Sequence, residues 1–266
     1  MPGEQALVPV RALGWTAGLR NMLDKEYGTW FRTRRWLLHL LLWIGVINGF
    51  LMLVYFGDGP SKSGHHSWQK YSELIEVFFR VGGMFGGIGV ITALQGAVVR
   101  ERTMGTAAWL LTKPLARSAF VVSKLVANAV TVLFFIVVIP TVGLLIQARL
   151  AFGPGYPPAL PFLAAMGVLV VHQLFYVAFT VMLGTLFSAR GAVSGTAIGF
   201  LIAGGIVPNI WPPVLTFMPW GLTQFAPGMV LHGKMPFPVW MPVAGTLVLT
   251  VICVAVAVWR FEREEF

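Results

Sequence analysis

Six runs of apolar residues, each long enough to cross a bilayer, recur along this chain and leave little room for any other architecture. A helix needs about 20 residues to traverse the hydrocarbon core. The runs extend from Trp36 to Gly57, Glu76 to Val99, Phe120 to Gln147, Pro161 to Phe187, Ala192 to Ile210 and Trp240 to Trp259. In lipid only a helix satisfies all of its backbone donors and acceptors within one segment, so each run is predicted helical. The expected fold is an all-α integral membrane protein of about six transmembrane helices. It forms a single domain over residues 1–266: an N-terminal segment to residue 35, a six-span bundle over 36–259 and a short tail over 260–266.

Composition agrees. Hydrophobic residues make up 57% of the chain and charged residues 11%, against roughly 25% charged in an average soluble domain. So few charges would not cover the surface of a soluble fold of this length. The net charge of +9 would suggest nucleic acid in a soluble protein. Here the basic residues sit in short segments between apolar runs, which suits membrane topology and argues against a nucleic-acid partner. The single cysteine, Cys253, excludes an internal disulfide and a thiolate metal cluster.

The distribution of cations predicts orientation. Arg32, Arg34 and Arg35 precede the first span; Arg100, Arg102, Lys113, Arg117 and Lys124 surround the link between the second and third. Arg190 lies between the fourth and fifth, and Arg260 and Arg263 follow the sixth. The alternate segments hold Lys62, Lys70, Arg80, Arg149 and Lys234. Both termini and the link near residue 110 are therefore expected in the cytoplasm, with the protein in the inner, cytoplasmic membrane.

Arg11 to Arg35 mixes Leu13, Trp15, Leu19, Leu23, Tyr27, Trp30 and Phe31 with Arg20, Lys25 and Arg32. That mixture reads as an amphipathic helix lying in the inner interface, cations outward and aromatics among the headgroups, or else as a basic tail. Asp58 to Ser72 reads as a polar loop. Trp211 to Pro238 is apolar but broken by Pro212, Pro213, Pro219, Pro227, Pro236 and Pro238, a density that forbids one continuous span. Short helical pieces re-entering the outer leaflet fit it.

The link between the second and third spans is the most informative stretch. A charged cluster, Arg100, Glu101 and Arg102, opens it; Gly105-Thr106 can turn the chain; Trp109, Leu110 and Leu111 form an apolar knob; Pro114 stops it. On pattern alone two readings stand equal. One is a short helix docked into a groove of a soluble partner; the other is a basic loop tethered to headgroups. Glu-Arg-x-x-Gly-Thr, followed by two leucines, Pro, Arg and a downstream Lys, resembles the signature of permease subunits of type 2 ABC exporters, closely over Arg100 to Lys124. The six-span layout, the interfacial N-terminal helix, the proline-broken outer segment and the end Arg260-Phe261-Glu262-Arg263 are similar too. The resemblance implies a cytoplasmic coupling helix that docks into an ATPase, with Glu101 and Arg102 at its charged rim. Gly105 and Thr106 would form the turn, Trp109, Leu110 and Leu111 would fill the groove, and Pro114 would end it. It also implies two ATPase copies and a second permease, identical or a paralogue, sharing the lipid bilayer. ATP and Mg would be held by the ATPase, so this chain would have no cofactor or catalysis of its own.

Glycine spacing gives another signal. Gly82, Gly83, Gly86, Gly87 and Gly89 lie in the second span, and Gly191, Gly195 and Gly199 repeat every four residues in the fifth. Such faces allow close helix approach, within one chain or across a dimer. Polar residues inside spans are costly and mark a candidate transport path. His172, Gln173, Tyr176 and Thr180 recur at helical spacing in the fourth span, Asn48 sits in the first and Asn128 in the third. Interhelical hydrogen bonds are the plainer reading of the amides. Glu76 and Arg80 are four apart and placed to pair.

Two apparent motifs are set aside. Gly228 to Met235 nearly spells a phosphate-binding loop, but Met235 replaces the hydroxyl that would bind magnesium. His65-His66 has no carboxylate or thiol cluster around it in sequence.

The expectation is thus an exporter subunit moving an amphiphilic or lipid-like cargo, with energy supplied by a partner. The alternative is an ion-coupled secondary transporter or channel, for which His172 is the one good mid-span ionisable residue. A membrane-embedded enzyme would need convergent His, Asp or Glu residues that the sequence does not offer.

Overall fold

The computed structural model describes residues 14–56, 65–105, 115–233 and 239–264, and among these the chain is helix and turn without a strand. Helix α1 covers Leu19–Phe31. The first span is α2 (Arg35–Trp43), a wide π turn (Ile44–Asn48) and α3 (Gly49–Phe56). The second is α4 (His65–Leu94), continued after a turn by α5 (Val99–Thr103). The third is α6 (Arg117–Val132), a second π turn (Leu133–Val138) and α7 (Ile139–Phe152). Helices α8 (Ala159–Leu186) and α9 (Arg190–Ile210) are the fourth and fifth. A 3-10 turn (Pro212–Thr216) and α10 (Trp220–His232) lead to α11 (Trp240–Glu262), the sixth. Among the described residues six helices are long and apolar enough to cross a membrane.

Helix α8 is the hub. It packs on α4, α6, α9, α10 and α11, and sixteen of its 28 residues, from Phe162 to Thr185, are buried. The outer faces of the bundle carry Leu38, Leu53, Leu150, Leu160, Ile210 and Val251, all more than 60% exposed. In water that would be a large liability; against lipid tails it costs nothing.

The second span begins earlier than its apolar run suggests. Residues 65–72, expected in a polar loop, are helical. The cause is a stripe at three- and four-residue spacing, Tyr71, Leu74, Ile75 and Phe78, every member buried. Tyr71 sets its edge against Phe152 and Tyr156 at centroid distances of 5.4 and 4.8 Å. Polar residues occupy the other faces: Gln69 donates to Glu73 at 3.0 Å, and Arg80 pairs with Glu76 at 3.2 Å, as their spacing suggests.

Helix α1 is not simply laid on headgroups. Met22, Glu26 and Trp30 form a buried stripe against α6. Trp15, in the turn before the helix, and Phe31, at its last position, are exposed. In the proline-broken segment, α10 has 13 residues, about 20 Å, too short to span. It buries Leu222, Ala226, Met229 and Val230 and packs on α8 and α4.

The two glycine sets part company. Those of α4 are filled from within the chain: a Cβ at Gly83 would strike Thr223, at Gly86 the Gln173 amide, at Gly87 Leu201 and at Gly89 the Trp43 ring. On α9, Gly191, Gly195 and Gly199 have open space around them. Pro140, lacking the N–H that would bond to residue 136, stands two residues after the π turn of the third span. The wider turn accommodates its ring, which would otherwise press on the preceding turn's carbonyl.

Candidate functional site

Helix α1, α5, the start of α6, the end of α8 and the C-terminal tail meet at one end of the bundle, here called the terminal face. Lys124 on α6 is its centre. Its Nζ lies 2.9 Å from Glu26 Oε1 on α1 and 2.9 Å from Glu101 Oε1 on α5. It also sits 4.9 Å from the centroid of Phe120. The side chain is 1% exposed. Lys25 adds a second cation to Glu101 at 2.9 Å. One turn deeper, Trp30 Nε1 donates to Asn128 Oδ1 at 3.0 Å, while Asn128 Nδ2 donates to the Lys124 carbonyl at 2.7 Å. A buried charge persists only when paired and hydrogen-bonded, and the Lys124 ammonium meets that condition with groups from three helices, while Glu101 Oε2 has no partner among the described residues.

A second set of ties lies alongside. Arg102 reaches the carbonyl of Phe187 at 3.1 Å and those of Gly184 and Thr185 at 3.4 Å, and pairs with Glu264. It thereby holds the last turn of α8, whose terminal carbonyls lack helical partners. Arg117 donates to the carbonyls of Glu262 and Glu264 at 2.7 and 2.8 Å. Phe120 stacks on Phe261, centroids 4.5 Å apart with planes 3° from parallel. The chain entering α6 is bonded to the one entering α1: Ala116 N–H donates to Ala17 O at 3.1 Å, and Ser118 Oγ to Trp15 O at 2.9 Å.

The residues bounding the link are thus bonded inside the chain. Glu101, expected at a rim facing a partner, is 8% exposed and embedded in the lysine pairs. Arg102 likewise points inward, to α8 and the tail. The reason is the break after Leu94, where a turn at 95–98 redirects α5 back over the bundle end. Gly105 has φ +68°, the left-handed conformation that glycine takes at no steric cost, consistent with the expected turn. Thr106, Trp109, Leu110, Leu111 and Pro114 lie outside the described residues.

The structure brings the polar residues of the fourth span together on α8. His172, Gln173, Tyr176 and Thr180 are all 2% exposed or less. Gln173 Nε2 donates to the Gly82 carbonyl at 2.9 Å, and the glycines of α4 make that approach possible. The His172 and Tyr176 rings lie 5.0 Å apart. His172 Nδ1, Gln173 Oε1 and Thr180 Oγ1 have no protein partner among the described residues. Asn48 and Asn128 are elsewhere. Asn48 Oδ1 accepts from Gln147 Nε2 at 3.2 Å, tying the first span to the third over Gly143. Asn128 belongs to the Lys124 network.

Sequence reasoning passed over Lys25, Glu26, Trp30 and Glu264 as site residues, and weighed Lys124 as a link cation and as the last residue of the resembling signature, not as a buried ion-pair centre. The signal for Glu26 was present: it falls between Met22 and Trp30 at four-residue spacing, a carboxylate inside an apolar stripe. Such a group needs a buried cation, and Lys124 stands inside an apolar helix.

Six apolar helices among the described residues, the fourth of them at the centre and one end closed by a buried charge network, define a multi-pass helical membrane protein. The chain belongs to the DUF2705 family, described as protein of unknown function, whose model matches residues 40–266. Over 200 residues it is 26% identical to the uncharacterized transmembrane protein YxlG of Bacillus subtilis (strain 168), an alignment covering 71% of this chain and 74% of that one.

Proposed function

We propose that this chain is the membrane subunit of an ATP-driven exporter, acting with two ATPase copies and a second permease. The carrying observation is the convergence of ties on either side of residues 106–114. Glu101 and Arg102 before them, and Arg117 and Lys124 after them, are bonded to α1, α8 and the tail. A force applied to the link is therefore delivered to most of the bundle's terminal face at once. The energy must come from outside, since the one near-match to a nucleotide loop lacks the hydroxyl for magnesium.

The cation distribution supports a cytoplasmic terminal face. Among the described residues it carries Arg20, Lys25, Arg32, Arg34, Arg35, Arg100, Arg102, Arg117, Lys124, Arg190, Arg260 and Arg263, against Lys70, Arg80 and Arg149 elsewhere. The open glycine face of α9 supports a second permease copy. On this reading the buried polar row of α8 becomes the path, opened when α8 is pulled by its end through Arg102.

The test is co-purification with an ATPase subunit from the same membrane, using wild type and the Trp109→Asp and Leu110→Asp variants. The complex should form and both variants should lose it. Unchanged assembly, or labelling of residue 109 from outside the cell alone, overturns the proposal.

A further inference from the structure

The terminal face holds a half-open cavity of about 360 Å³ between α1, α2, the α4–α5 turn and α6, within the size range of ligand sites. Its lining includes Lys25, Arg35, Arg100, Lys124 and Arg190 against two carboxylates, Glu26 and Glu101. Both carboxylates are already bonded to lysines at 2.9 Å. Arg35, Arg100 and Arg190 have no carboxylate partner among the described residues. The cavity therefore carries three cations whose charge no carboxylate among the described residues offsets.

Arg190 reaches it in a built position. Its side chain lies across Gly96, where an added Cβ would come within 3.3 Å of Nε and 3.4 Å of Cδ. The helix break that redirects α5 thus also provides the shelf on which a guanidinium from the head of α9 rests. Arg190 is the first residue of α9 and Arg35 the first of α2. Both therefore stand at the level where a spanning helix leaves the hydrocarbon. The wall between them continues into lipid: Leu38 lines the cavity, is 65% exposed, and is followed on the same helix by Leu41, 64% exposed. Cations at interface depth beside an open apolar wall are complementary to a molecule with an anionic head and acyl tails.

We propose that this cavity is a binding site for the phosphate headgroup of an anionic membrane lipid, held by Arg35, Arg100 and Arg190, with its tails along Leu38 and Leu41. Guanidinium forks suit this role, since they meet phosphate oxygens in a bidentate fashion. The occupant would pack directly against the Lys124 network and so join the bilayer to the terminal face. The inference stands whether or not an ATPase docks on the link.

The full chain, purified in a neutral detergent, is titrated with phosphatidylglycerol or phosphatidylcholine, and bound lipid is counted by native mass spectrometry. Wild type should retain phosphatidylglycerol in preference to phosphatidylcholine. Arg35→Gln and Arg190→Gln should each weaken that retention by about fivefold, and the pair by more than either alone. Arg20→Gln, on the exposed side of α1, should leave it unchanged. The proposal is overturned if wild type shows no preference between the two lipids, a result independent of how the variants fold. It is overturned equally if Arg20→Gln weakens retention as much as the cavity variants, or if inorganic phosphate at the same concentration displaces the lipid.

Discussion

Replacing Lys124 with Met removes the cation that Glu26 and Glu101 share, while keeping most of the side chain's volume and its contact with Phe120. Removing one partner of a buried ion pair costs about 3–5 kcal/mol, because the charge left behind stays in a low dielectric. Two features of the site decide where in that range the value falls. Glu101 keeps Lys25 at 2.9 Å, but that lysine is 37% exposed and the pair contributes only about 0–1 kcal/mol. Glu26 borders the half-open cavity, so part of its lost solvation is restored by water. The lower end, about 3 kcal/mol, follows. At about 2–4 °C per kcal/mol for a chain of this size, the melting temperature falls by about 6–12 °C. The assay is thermal unfolding in detergent, followed by loss of the monodisperse peak in size-exclusion chromatography. The double variant Lys124→Met, Glu26→Gln should recover part of the loss, since the stranded carboxylate is then neutral. A single variant that melts within about 2 °C of wild type would show the network to be solvated and refute the argument from burial.

Other outcomes follow from individual contacts. Gly89→Ala should cost about 1–3 kcal/mol in the same unfolding assay, because the new methyl meets the Trp43 ring, whereas Gly195→Ala, in open space within one chain, should be neutral or slightly stabilising for the chain dissociated in detergent. Gln147→Leu should cost about 0.6 kcal/mol, the usual worth of one interhelical hydrogen bond in a membrane, read as a melting shift of about 1–3 °C. Arg102→Ala releases the Glu264 carboxylate and the last carbonyls of α8, leaving the tail held by Arg117, so a C-terminal tag should be cleaved faster by added protease while the six spans stay folded.

The spans were legible because lipid imposes a plain rule on sequence: about 20 apolar residues, helical, with cations gathered on one side. Residues 65–72 escaped that rule because their helix is held by one stripe, Tyr71 to Phe78, while its other faces are polar. Glycine spacing announced close packing on α4 and α9 alike, but only the fold separates Gly86, filled by Gln173, from Gly195, which meets nothing. The charged opening of the link was legible as important and misleading as to direction. Glu101 and Arg102 read as a rim for a partner, since nothing local reveals that a turn at 95–98 folds them back onto Lys124 and the end of α8. The pairing of Glu26 with Lys124 spans 98 positions and depends on α1 docking against α6, which no local pattern encodes.

The wide turns in the first and third spans have a consequence for how such a chain can change. A π turn holds one residue more than an α turn. Ile44–Asn48 packs on α7, and Leu133–Val138 packs on α2, so each surplus lies against a regular stretch of the other span. Deleting one residue from either turn alone would rotate one half of that span against the other by about 100° and carry Asn48 and Gln147 out of reach of each other. A one-residue gap in either turn therefore breaks the tie between the first and third spans, and the extra residue in each is a fixed part of how the two halves of a span are aimed.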